Sequence, residues 1–108
     1  MLMLMKMESE KFGLGRVVAT PSAMEKLSAI DPDGNHRRVA AGMISRHHHG
    51  DWGDISREDA MGNDHAIENG ARIVSVYKED GNDFFVITEA ADDDGARACT
   101  TILLAEDY

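Results

Sequence analysis

The sequence predicts an α+β fold, with about three helices packed on one face of a small antiparallel sheet. Three observations predict it. Between residues 20 and 70 apolar side chains recur at three- and four-residue intervals, framed by helix start and stop signals. After Gly70 the period shortens, and β-branched and aromatic residues gather in short runs separated by turn residues. The chain has 108 residues, 43% hydrophobic and 29% charged, enough for one domain around one modest core.

Taken in order, Gly13–Ala19 reads as a short strand entered from a glycine segment, a candidate fourth member of the sheet. Thr20 and Pro21 form a helix start, Thr as N-cap and Pro at the first helical position. That helix turns Ala23, Met24, Leu27 and Ile30 inward and stops at Asp31-Pro32-Asp33-Gly34. A second helix spans about Arg37 to His49, with Val39, Ala40, Met43 and Ile44 as its buried stripe. Ser56 with Asp59 three residues on is a variant capping box, opening a third helix from about Arg57 to Asn69 that ends at Gly70. Its stripe is Ala60, Asn63 and Ile67. A polar Asn63 at a core position needs partners, either as an anchor for the Trp52 loop or within a site.

Arg72–Tyr77 and Phe84–Thr88 read as a hairpin closed by Glu79-Asp80-Gly81-Asn82. A longer acidic loop, Glu89–Ala98, leads to a last strand at Thr100–Leu104, completing a three-stranded meander. One face is expected to bury against the helices and the other to be more polar, with Arg72 or Ser75, Thr88 and one threonine of the last strand on it. The exposed sheet face, or an edge at Thr100–Leu104, is available to a homodimer. Residues 1–11 form a flexible N-terminal segment in this reading, and 12–108 the single domain. The apolar start Met1–Met5 is too short for a signal core or a membrane span, so no export and no membrane partner are expected, and initiation at Met1, Met3, Met5 or Met7 stays open. A lone Cys99 excludes an internal disulfide framework and fits a reducing cytoplasm.

The run from Ile44 to Asp54 concentrates the unusual chemistry: three of the five histidines and the only tryptophan. His47 continues the apolar stripe, four residues after Met43 and three after Ile44. His48 falls near its edge, His49 points to solvent, and Gly50 suits a left-handed helix end. Asp51-Trp52-Gly53-Asp54 is then a tight connection with Trp52 as a plug. Three readings of the histidines compete: a metal site on His47 or His48 with Asp51, a general acid or base at His47, and a hydrogen-bonded structural His47. No spaced metal-ligand motif, phosphate-binding glycine loop or nucleophile elbow is present, so neither metal nor cofactor is implied.

The net charge is −9 and unevenly spread, about +2 over residues 1–50 and −11 over residues 51–108. Such a field disfavours direct nucleic-acid binding and attracts basic surfaces.

Arg46-His47, Gly50-Asp-Trp-Gly53, Asn63, Gly70-x-Arg72, Ser75-x-Tyr77, Ile87-Thr-Glu-Ala90 and Thr100-Thr-Ile-Leu-Leu104 with Tyr108 follow in order. Together they resemble a family of small, largely uncharacterised proteins of plasmids, integrative elements and bacterial chromosomes. The resemblance covers about Leu14 to Tyr108 and implies a mobile-element setting in a bacterial cytoplasm. It carries no activity. Two departures stand out: Ala91–Ala98 looks like an acidic insertion, and Ala105 stands where relatives tend to have proline.

Two functions follow. One is a non-enzymatic acidic module docking on a basic, nucleic-acid-binding surface of a host defence or replication protein, through Asp80, Asp83, Asp92, Asp93 and Asp94. Trp52, Asp51 and Asn63 would then be structural. The alternative is a metal-independent ribonuclease or toxin of the barnase/colicin/RelE layout. There His47 would be general acid or base, Arg72 the phosphate stabiliser, and Ser75 or Thr101 the positioning group.

Overall fold

The computed structural model describes residues 10–31, 33 and 36–108. Its elements run β1 (Arg16–Ala19), α1 (Pro21–Ile30), α2 (His36–His48), α3 (Arg57–Asn69), β2 (Ile73–Glu79), β3 (Asn82–Thr88) and β4 (Cys99–Leu104), followed by a 3-10 turn at Ala105–Asp107. The α+β class stands, with three helices and four strands among the described residues. Most of the proposed N-terminal segment, and part of the turn after α1, lie outside the described residues.

Local chemistry sets the element ends as the residue types demand. Thr20 Oγ1 accepts from the Ala23 amide and Pro21 opens α1. Ser56 Oγ accepts from the Asp59 amide, and Gly70 closes α3 in the left-handed region at φ 84°. Asp80 and Gly81 both have positive φ, the two-residue hairpin geometry whose twist matches the flanking strands.

The strands lie in the order β1-β4-β3-β2. β2, β3 and β4 form the antiparallel meander, while β1 adds in parallel to β4 (Arg16 beside Cys99, Ala19 beside Ile102), so the sheet is mixed. Thr100–Leu104 is therefore an interior strand and offers no edge to a second copy, correcting that expectation. Pairing with β1 needed a segment more than eighty residues earlier in the chain, which local pattern does not reveal.

α1 and α2 pack on one face of the sheet, against β4 and β3. Beneath them Leu27, Met43, Tyr77, Phe84, Val86, Ile102 and Leu104 form the larger apolar cluster. A smaller one joins Trp52, Ala66 and Ile73 with Phe12, Ile55 and Ile67 at the other end. The register inverts one expectation. Ser75, Thr88 and Thr100 point into the helix-covered interior, whereas Val74, Val76, Phe85 and Leu103 alternate onto the outer face.

α3 does not lie flat on the sheet but runs along the free edge of β2. The Asn63 side chain donates to Val74 O at 2.8 Å and accepts from the Val74 amide at 3.2 Å, taking the place of a neighbouring strand. Next to it the Val76 amide donates to Trp52 O, and the Asp54 amide donates to Val76 O. This edge is closed by hydrogen bonds rather than by charge. Asn63 is thus an anchor, though for β2; the Trp52 indole donates instead to Asp64, at 3.1 Å.

Candidate functional site

The stripe of α2 that buries Met43 brings His47 to the centre of the interior, where it is fully enclosed. Both ring nitrogens are engaged: Nδ1 lies 2.6 Å from Ser75 Oγ and Nε2 lies 2.8 Å from Thr88 Oγ1. Thr88 Oγ1 is 2.7 Å from Thr100 Oγ1, which donates to the Leu14 carbonyl at 2.7 Å. Ser75, Thr88 and Thr100 are likewise fully buried.

The direction of this chain follows from its end. A carbonyl only accepts, so the single Thr100 hydroxyl proton goes to Leu14 O. Thr100 must then accept from Thr88, and Thr88 from an Nε2–H of His47, leaving Nδ1 to accept from Ser75. The residues assign His47 as the neutral Nε2–H tautomer with every hydrogen bond made. Burial, with a smaller contribution from His48, pulls its pKa down to about 4. Phe12 and Trp52 close the ring in edge-on at 5.2 and 5.9 Å. His47 here is a satisfied buried polar group.

The Asp51-Trp52-Gly53 connection is organised in the same way. Arg46 Nε pairs with Asp51 Oδ2 at 2.7 Å, and its guanidinium sits 4.5 Å from the centre of the Tyr77 ring. The hydrogen bond from Arg46 is the main cause holding the Asp51 carboxyl below its usual pKa. Tyr77 donates to Asp51 O at 2.6 Å, and burial pushes its phenol up to about 12, so it stays a donor. Gly53 is obligatory: at φ 79° a Cβ would lie 2.0 Å from Val76 O and 2.7 Å from the Tyr77 ring. Trp52 is buried as a plug between Phe12, His47 and α3.

Of the residues of the ribonuclease reading, His47 and Ser75 are brought together, sealed in the interior, while Arg72 and Thr101 lie apart from them. His47 and Ser75 face the interior; Thr101 alternates onto the opposite face. Arg72 is exposed and hydrogen-bonds Tyr108, whose ring meets outer-face Phe85 at a tilt of 56°. Nor do the acidic candidates form one patch. Asp80 and Asp83 sit at the hairpin end of β3, Asp92–Asp94 beyond its other end. Asp83 pairs with Lys78 at 2.9 Å, and the Asp92 carboxylate accepts from the amides of Asp94 and Ala96, folding its own loop. Among the described residues no three His, Cys, Asp or Glu side chains converge as a cation site.

Sequence reasoning missed Arg97. It is buried and donates to Ala71 O at 2.7 Å, Glu89 O at 3.0 Å and Ala66 O at 2.9 Å. Three carbonyls, one from the last turn of α3, surround a cation that desolvation holds below its ordinary pKa. The segment 91–98 is therefore a tether as well as an acidic loop, fastening α3 to the end of β3. Its sequence signal was slight: one arginine among aspartates and alanines.

Compared with known proteins, the chain matches no family model, and neither a curated protein nor a solved structure matches it significantly.

Proposed function

We propose that this protein is a non-enzymatic binding module that docks on a basic surface of a protein partner. The observation supporting the reading is how the chemistry is distributed. The one histidine that pattern marked as a candidate acid or base is sealed inside a completed hydrogen-bond chain. Meanwhile residues 51–108 carry fifteen acidic against four basic side chains. Such a field favours encounter with positive surfaces and opposes approach of RNA. A bacterial cytoplasm and a mobile element, with a host defence or replication protein as partner, is the setting this reading takes from the resemblance in sequence.

The test is affinity capture at low and high salt with the wild type and a variant in which Asp80, Asp83, Asp92, Asp93 and Asp94 are all lysine. A partner held at low salt, released at high salt and lost by the variant is expected. Equal capture by both proteins would overturn the reading, as would RNA cleavage that His47→Ala abolishes without unfolding the chain.

A further inference from the structure

Because α3 hangs on the edge of β2 through Asn63, it leaves the outer face of the hairpin uncovered beside it. A groove of about 470 Å³ results, in the range of ligand-binding clefts. Its floor is Val74, Val76 and Phe85. Its wall is the face of α3 bearing Gly62 and Ala66, and no atom stands within 4 Å of where a Gly62 Cβ would lie. Glu58 and Asp59, both exposed, form the rim. Neither pairs with a cation among the described residues. Arg72, at another part of the lining, is held by Tyr108.

We propose that this groove takes a basic amphipathic helix of a partner protein, apolar side chains entering over Val74 and Phe85 and a Lys or Arg meeting Glu58 and Asp59. The inference rests on the binding-module reading and locates its anchor point. Two features choose the occupant. The acidic rim, within a half-chain of net charge −11, complements a basic segment. The outward backbone groups of Val74 and Val76 are already bonded to Asn63, Trp52 and Asp54, so strand addition is blocked and only side chains can enter. An apolar helix face with anchors three and four residues apart meets that requirement.

The experiment is amide NMR titration with a model helical peptide of Leu on one face and Lys on the other, beside its Glu-for-Lys counterpart. For the Lys peptide, shifts at Gly62, Val74, Val76 and Phe85 are expected, with affinity falling at least about tenfold in Gly62→Phe and in Glu58→Lys/Asp59→Lys. Amide spectra of both variants that match the wild type away from the groove establish that each is folded. Unchanged affinity in Gly62→Phe, with shifts at Asp92–Asp94 and the hairpin, would overturn the groove but leave an acidic binding module standing. Equal binding of the Glu peptide would overturn the charge argument. Failure of both peptides removes the groove alone, since the module is judged by the salt-dependent capture above.

Discussion

The interior has two layers of opposite character under the same helices. Toward α1, Leu27, Met43, Phe84, Val86, Ile102 and Leu104 pack without a hydrogen-bonding side chain apart from Tyr77 at its margin. Two residues along each strand, Ser75, Thr88 and Thr100 meet His47, and the apolar cluster gives way to a polar seam. Beyond the seam the smaller Trp52 cluster resumes. Apolar contacts are non-directional and fail gradually; a buried hydrogen-bond chain fails as a unit, because each member lost leaves another unpaired. The seam therefore defines the register of β2, β3 and β4 and the rotation of α2 more narrowly than the apolar layer does.

The largest expected effect breaks this contrast directly. His47→Ala leaves Ser75 and Thr88 without their partner and opens a cavity, costing about 4 kcal/mol in denaturant unfolding. Leu27→Ala, in the apolar layer, costs about 3 kcal/mol. The sharper distinction is rescue. Adding Ser75→Ala and Thr88→Val to His47→Leu should recover more than half the loss, because the hydroxyls that need a partner go with it. No such partner mutations exist for Leu27.

Acid separates the layers next. The unfolded chain protonates His47 near pH 6.5 but the folded protein only near pH 4, so the unfolded state binds more protons between them. Stability contributed by His47 is complete above that window and falls as pH drops through it, by about 3 kcal/mol in all. Unfolding curves across that range should show the slope in the wild type and lose this share in the triple variant; an unchanged slope would contradict a neutral buried imidazole.

Arg97→Met tests whether the far tether resembles the seam. Three carbonyls lose their donor, for about 2 kcal/mol, and hydrogen exchange should quicken at Gly70 and Ala91 before it does in β3. The smallest effect has the opposite sign. Gly62→Ala meets open space within α3 and should stabilise by about 0.5–1 kcal/mol in the same unfolding assay.

Much of the fold was legible because its signals are local. Thr20-Pro21, Ser56 with Asp59, Gly70 and Asp80-Gly81 act within a few residues of themselves, and the elements begin and end where those residues require. The burial of His47 was legible too, from its spacing after Met43 and Ile44. What it would touch was not. Ser75, Thr88 and Thr100 look like ordinary strand-surface residues, because strand alternation says which residues share a face but not which face is buried. The placement of the acidic candidates was not legible either: β3 holds Asp80 and Asp83 apart from Asp92–Asp94.

Sequence alone determined the helices, the hairpin, the left-handed turns and the charge, each a property of neighbouring residues and their own backbone preferences. Tertiary structure decided that β1 joins β4, that the hydroxyls face inward, that Arg97 holds three carbonyls and that Asn63 stands in for a strand. Each of those pairs groups far apart in the chain, and only burial, which makes an unpaired polar atom costly, selects the partner.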